Sequence, residues 1–127
     1  PLANDPHAAR KRGLTKLRRL TVIAQADIEQ WLETEFVERG ASGFCSVPCR
    51  GAGRRELDSG VGTENSKVRI EVVVPLHTCE SLINFLRNDV LPANWVTVCV
   101  EPVDVLRRDH FDLSAPAENV THVIQNT

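Results

Sequence analysis

The sequence predicts an α+β fold in which strands and helices follow one another in the order β-α-β-β-α-β. Apolar residues recur at every second position in four short segments, as in strands with one buried face. Two longer segments instead place apolar residues at helical spacing. The order is that of the split βαβ, or ferredoxin-like, arrangement. We therefore expect one antiparallel sheet with both helices on one face.

The first strand and the first helix are predicted within residues 16–40. Residues 16–24, KLRRLTVIA, alternate as a strand does. A capping box formed by Asp27 and Gln30 is expected to start the helix, and Gly40 to end it. The apolar face of this helix is formed by four side chains, namely Ile28, Trp31, Leu32 and Phe36.

Three strands and a second helix complete the predicted fold. Residues 43–49 form a short strand, and Pro48 places it at a sheet edge because proline cannot donate a ladder hydrogen bond. Residues 67–75 alternate most strongly, and a helix over 78–91 is stopped by Pro92. The fourth strand covers 95–101, and residues 104–108 could extend it or form a short cap. The inward side chains are Val68, Ile70, Val72 and Val74 in the third strand, Cys79, Leu82, Ile83, Leu86 and Val90 in the helix, and Val96, Val98 and Val100 in the last strand.

Length and composition indicate a single globular domain. The chain has 127 residues, of which 42% are hydrophobic and 25% charged. We divide it into an N-terminal arm at 1–13, a domain at 14–111 with a long loop at about 51–66, and a C-terminal tail at 112–127. The net charge of −2 gives no support for nucleic-acid binding.

Several other classes of protein are not expected from the sequence. No apolar run approaches the roughly 20 residues of a membrane span, and residues 1–13 lack the apolar region of a secretory signal. The four cysteines match no zinc pattern, so we expect reduced thiols in a cytoplasmic protein and no metal site. The four histidines are scattered and form no recognisable catalytic group, so we expect no enzyme activity.

The sheet face away from the helices is predicted to be apolar. By alternation, Val73, Trp95 and Cys99 point to this face. An uncovered apolar face suggests burial against another subunit. We therefore expect an oligomer.

The segment between the second and third strands is unusually long. It reads RGAGRRELDSGVGTENS over residues 50–66, whereas a hairpin needs only two to five residues to turn. Gly51 and Gly53 would let the backbone approach a phosphate, and Arg54 and Arg55 could bind it in a bidentate manner. Plain loop flexibility and a solvated basic surface are the alternative interpretations.

Two motifs around this loop resemble the PII signal-transduction family. Gly-x-Gly-Arg at Gly51–Arg54 is similar to the start of the family's T-loop, and Lys-Val-x-Ile-Glu at Lys67–Glu71 to the strand that follows it. The likeness covers roughly residues 14–108 and is greatest to the PII-like branch tied to inorganic carbon and the carboxysome. It implies a homotrimer that binds adenine nucleotides between subunits and signals through an ordering T-loop. In that branch the ligands are ADP or AMP and bicarbonate, and the target would be a bicarbonate transporter or another carbon-uptake protein.

The resemblance also implies a set of binding residues. Arg55 with Ser59 and Gly60 would bind bicarbonate. Glu101, just past the last strand, would accept from the adenine amine or the ribose, although a strand-end charge is an alternative. The nucleotide-binding residues that we expect are Gly43, Cys45, Gly51, Gly53, Arg54, Arg55, Glu101, Arg107 and Arg108.

The chain also departs from the principal members of that family. It contains no tyrosine, so the uridylylation of a T-loop tyrosine is impossible. Leu91-Pro92-Ala93-Asn94 replaces a Gly-rich, Lys-containing phosphate loop, and no cysteine follows Cys99 to form a C-terminal redox hairpin. Arg55 replaces the glutamine that helps to bind 2-oxoglutarate, which favours a small anion instead.

Two other classes of function remain open on the sequence. A small trimeric ferredoxin-like metal-tolerance protein or enzyme would place its site between subunits. A purely structural shell or interaction module would bind no nucleotide.

Overall fold

The computed structural model describes residues 13–59 and 66–106, and its elements follow the predicted order. The strands are β1 (Thr15–Gln25), β2 (Cys45–Arg50), β3 (Ser66–Val74) and β4 (Thr97–Val105). The helices are α1 (Glu29–Glu38), entered through a 3₁₀ turn at Ala26–Ile28, then α2 (Arg54–Ser59) and α3 (Leu76–Phe85), which continues as a π-helical turn at Leu86–Val90.

The strands form one sheet in the order β2-β3-β1-β4, and all of its pairs are antiparallel. This is the strand order of the ferredoxin-like arrangement, so the predicted α+β fold is confirmed. β2 lies at an edge, as Pro48 predicts. β4 forms the other edge, so β1 and β3 are the inner strands.

The hydrophobic core lies between the sheet and the helices α1 and α3. On the two inner strands the register places Val22 opposite Ile70 and Leu20 opposite Val72, and all four side chains are buried. Burial of each such side chain contributes about 1.5–3 kcal/mol relative to an exposed one. The helices complete the core with Leu32 and Phe36 from α1 and with Cys79, Leu82, Phe85, Leu86 and Val90 from α3 and its π-helical turn.

The predicted start of the first helix is wrong. No capping box starts the first helix, because Asp27 lies inside the 3₁₀ turn and neither that turn nor α1 has a side-chain cap. Helix entry is made instead by backbone hydrogen bonding in the turn. Val100 lies on the helix-facing side of β4, as predicted, although 43% of it is exposed. β4 is an edge strand, and the helices cover the inner strands better.

The sheet face away from the helices is mixed, whereas an apolar face was predicted. Cys99 is exposed, Val73 is half-buried, and Trp95 lies before β4. The same face also carries two ion pairs, Arg19–Glu101 and Arg69–Glu71. The expectation of an oligomer therefore depends on the family resemblance more than on this face.

The long loop is not wholly irregular, since it contains the six-residue helix α2. Residues 60–65 of the loop, residues 1–12 of the predicted arm and residues 107–127 lie outside the described residues. Within the described part of the chain, no helix combines the length and apolar content needed to cross a lipid bilayer.

Gly40 ends α1 as predicted, in a conformation that favours glycine. Its φ is 120°, its N–H donates to the Val37 carbonyl at 3.1 Å, and the next N–H, of Ala41, donates to Phe36 at 2.9 Å. A Cβ on Gly40 would lie 3.3 Å from Thr78 Cγ2. Both the backbone and the space therefore oppose a side chain there.

We expect Gly40→Ala to lower the free energy of unfolding by about 1–2 kcal/mol, because it strains the backbone and crowds Thr78. Urea denaturation followed by circular dichroism measures the change. Gly51→Ala is the matched control, since φ at Gly51 is not positive and a Cβ there would meet nothing within 4 Å. Equal stability of the two variants would contradict this account of the cap.

Candidate functional site

The candidate site is built at one end of the sheet. The antiparallel register pairs Arg50 with Ser66, Gln25 with Lys67, and Ile23 with Thr97. The end of β1, the end of β2, and the starts of β3 and β4 therefore meet at the same end. The base of the long loop and the connection from α3 to β4 both emerge there.

Gly51 and Gly53 lie in the connection between β2 and α2. Neither has a positive φ, so their backbone conformation does not by itself require glycine. Gly51 has open space where a Cβ would stand, and a Cβ on Gly53 would lie 3.9 Å from Glu56 Oε1. The prediction that these glycines admit a phosphate remains a prediction.

Arg54 and Arg55 are the first two residues of α2. Arg54 Nη1 lies 3.6 Å from Asp58 Oδ1 across one helical turn, and both side chains are largely exposed. Such an exposed pair is worth little, so Arg54 can leave Asp58 for an anion at small cost. The backbone of Arg55 and Ser59 lies in α2, while their side chains, together with Gly60, Arg107 and Arg108, lie outside what the structure describes.

Glu56 forms contacts at the loop base that were not predicted from the sequence. Its Oε1 accepts a hydrogen bond from the Gly53 N–H at 2.9 Å, and its Oε2 accepts one from Lys67 Nζ at 3.1 Å. Gly53 is the residue just before α2, and Glu56 follows it by three residues. A glutamate at that position forms one half of a capping box. That signal could have predicted both the Gly53 contact and α2.

Glu101 does not lie past the last strand, as predicted, but within β4. Its Oε1 accepts hydrogen bonds from Arg19 Nε at 2.9 Å and Nη2 at 2.7 Å. This hydrogen bonding, together with the negative charge of Glu101, raises the pKa of Arg19. Glu101 therefore has a cationic partner on β1 in the single chain, and a ligand would have to compete with it.

Cys45 and Glu101 lie at opposite edges of the sheet. Cys45 opens β2, is exposed, and pairs with Glu71, while Gly43 precedes the strand. Because β2 and β4 are separated by three strand spacings, these residues lie about 14 Å apart across the sheet. One chain therefore brings together Gly51, Gly53, Arg54 and the backbone of Arg55, but leaves Cys45 and Glu101 apart.

No metal centre is visible in the described residues, since they contain no group of three His, Cys, Asp or Glu side chains that could hold an ion. All four cysteines are free thiols. Cys79 is buried in the core, and this burial raises the pKa of its thiol. Cys45 and Cys49 lie on the same face of β2, opposite Glu71 and Lys67.

Two neighbouring carboxyl groups, Glu29 and Glu33, lie on α1, and Glu33 contacts the edge strand β2. Ser46 Oγ donates to Glu33 Oε2 at 2.5 Å, which ties α1 to β2. A hydrogen bond with Glu33, then burial and then the charge of Glu33 raise the pKa of Glu29. The folded protein therefore holds a proton on Glu29 more tightly than the unfolded chain does.

Comparison with known proteins identifies the class to which the chain belongs. The sequence profile of the family described as "Nitrogen regulatory protein P-II" matches residues 17–110. The chain therefore belongs to the nitrogen regulatory protein P-II family, and it is a PII-like signalling protein. Members of this family are generally non-catalytic signalling proteins. A search of curated proteins finds no match.

Solved structures with the same fold include proteins from Thermus thermophilus and Thiomonas intermedia. A PII-like signalling protein from Thermus thermophilus shares 28% identity with a TM-score of 0.63, over 74% of this chain and 92% of that one. CPII from Thiomonas intermedia, in a structure described as bound to ADP and bicarbonate, shares 20% identity with a TM-score of 0.64 over the same fractions. At that level of identity, the likeness to CPII shows the fold alone.

We expect Glu29→Gln to be more stable than the wild type at neutral pH, and this advantage to be smaller at acidic pH. In the wild type, the pKa of Glu29 is higher in the folded protein than in the unfolded chain, where it is near 4.5. Glu29 therefore stabilises the folded protein below pH 4.5, and this contribution is lost as the pH rises through the folded-state pKa. The glutamine keeps a hydrogen-bond donor toward Glu33 without a second negative charge.

Melting temperatures measured from pH 4 to pH 8 test this expectation. The difference between Glu29→Gln and the wild type should grow with pH and then level off. Glu80→Gln, which removes an exposed carboxyl on α3, supplies the baseline for losing one surface charge. A difference that shrinks with rising pH would contradict the sign.

Proposed function

We propose that this protein binds an adenine nucleotide, ADP or AMP, in clefts between the subunits of a homotrimer, with bicarbonate as a linked effector. The observation that carries the proposal is the P-II family match over residues 17–110, which includes the long loop and both flanking strands. CPII, whose solved structure is described as bound to ADP and bicarbonate, has the same fold and suggests the ligands to test.

The separation of the candidate residues supports a site between subunits. Cys45 lies at one sheet edge and Glu101 at the other, so these two residues do not form a compact site within one chain. In an assembly, the β2 edge of one copy and the β4 edge of another can line the same cleft. A homotrimer would provide three equivalent clefts of this kind.

The charges at the loop base support an anionic ligand. Arg54 and Arg55 open α2 next to Gly51 and Gly53, and the Arg54–Asp58 pair is weak enough to exchange. Guanidinium groups bind phosphate oxygens in a bidentate manner. We assign the phosphates of the nucleotide to Arg54, and bicarbonate to Arg55 with Ser59 and Gly60. Arg107 and Arg108 are proposed as further nucleotide contacts.

Signalling would use the loop between β2 and β3. A ligand that contacts the loop base favours one arrangement of the loop, and that arrangement determines which target protein docks. A bicarbonate transporter or another carbon-uptake protein would be such a target. The loop would then report inorganic-carbon and energy status, without catalysis.

Binding of ADP should tighten in the presence of bicarbonate, because two ligands that favour the same loop arrangement bind cooperatively. By the usual size of such couplings, we expect about a fivefold or greater drop in Kd in titration calorimetry at saturating bicarbonate. Chloride at the same pH and ionic strength is the control. Equal ADP affinity in both buffers would contradict the coupling between ADP and bicarbonate. Absence of ADP binding would contradict the proposal that the protein binds this nucleotide.

Arg55→Ala should weaken the binding of ADP or bicarbonate by about tenfold or more, since it removes charge-assisted hydrogen bonds. The mass in solution, measured by light scattering, should stay that of a trimer. Arg87→Ala, which removes an exposed arginine on the π-helical turn, should leave the affinity unchanged. An unchanged affinity in Arg55→Ala would exclude Arg55 from the site.

A further inference from the structure

The helix α2 is poorly supported by apolar packing. It has six residues, and a helix of that length is not stable on its own in water. Its described side chains contribute nothing to the hydrophobic core, and its one large apolar residue, Leu57, is 54% exposed. The side chains of Arg54 and Asp58 are 83% and 65% exposed. The position of α2 must therefore depend on polar contacts.

The ion pair between Glu56 and Lys67 is suited to hold α2 in place. Lys67 Nζ lies 3.1 Å from each carboxylate oxygen of Glu56. The Lys67 side chain is only 11% exposed and that of Glu56 only 23%, a lower pair of values than in any other ion pair between described residues. Solvent and salt screen such a partly buried pair less than an exposed one.

The two partners belong to parts of the chain that differ in how firmly they are held. Lys67 lies on the inner strand β3, between Gln25 of β1 and Cys49 of β2, so the sheet fixes its backbone on both sides. Glu56 lies on α2, whose attachment is polar. The pair therefore connects a weakly supported helix to a rigid strand, eleven residues further along the chain.

We propose that the Glu56–Lys67 ion pair is a latch that holds α2 against the start of β3 and so keeps this helix formed at the base of the loop. When the ion pair is formed, it keeps α2 helical. When the ion pair is broken, α2 loses its partly buried polar contact and the helix unwinds. The inference goes beyond the proposed function, because it concerns the loop without any ligand. Any ligand or partner that favours one of the two states shifts the loop through this pair.

Hydrogen exchange at the Leu57 amide tests the latch. This N–H donates to the Gly53 carbonyl at 3.0 Å, so its exchange rate reports whether the turn is formed. In the ligand-free protein, Glu56→Gln and Lys67→Gln should each exchange this amide about fivefold faster than the wild type or more, after correction for intrinsic rates. The amide of Ile70 in β3 should be unchanged, which shows that the sheet remains intact.

A charge exchange and a matched control make the result specific. The double variant Glu56→Lys with Lys67→Glu should exchange this amide more slowly than either Glu56→Lys or Lys67→Glu alone, because the pair re-forms with its charges reversed, although the Gly53 N–H loses the acceptor that Glu56 provides. Asp58→Asn removes a carboxylate from the same helix and should leave the rate unchanged. Wild-type exchange in Glu56→Gln, or an equally large acceleration in Asp58→Asn, would overturn the latch. Neither outcome depends on whether a nucleotide binds.

Discussion

Burial of one face of the β1–β3 pair under α1 and α3 is the constraint on which the rest of the structure depends. Leu20 and Val22 of β1 lie opposite Val72 and Ile70 of β3, and none of the four is more than 2% exposed. A slip of either strand by one residue would turn its buried side chains to the other face, so this burial fixes the register. The register in turn places both ends of the long loop at one end of the sheet.

The candidate site follows from this frame. The frame brings Gly51, Gly53 and Arg54 to the loop base, and it sets the Lys67 side chain beside Glu56. It also separates the two edge strands by the width of two inner strands. A single copy therefore holds only part of the proposed ligand site, and a second copy would have to supply the rest. For a signalling protein, such a division would link ligand binding to assembly.

The parts of the fold that the sequence predicted are those in which a local pattern decides the outcome. Alternation over residues 67–75 marks a strand that is buried on one face, and β3 has those buried residues. Gly40 ends α1 because the positive φ there favours glycine. The capping box failed because the same residue types also suit a 3₁₀ turn, and α2 was missed because it has almost no apolar periodicity. In the candidate site, the glycines and arginines were recognised as a group, whereas Glu56 was not.

By itself, the sequence determined the order of the elements, the faces of the inner strands and membership of the P-II family, because each is written in short-range periodicity or in a contiguous motif. Only the tertiary structure decided which charges pair. Arg19 and Glu101 are 82 positions apart, and Glu56 reaches Lys67 across the loop. An ion pair forms only where the fold brings two charged side chains together, and the periodicity of the sequence does not predict which residues these are. The sequence predicts a ligand role for Glu101, and only the folded chain shows that it also pairs with an arginine of the neighbouring strand.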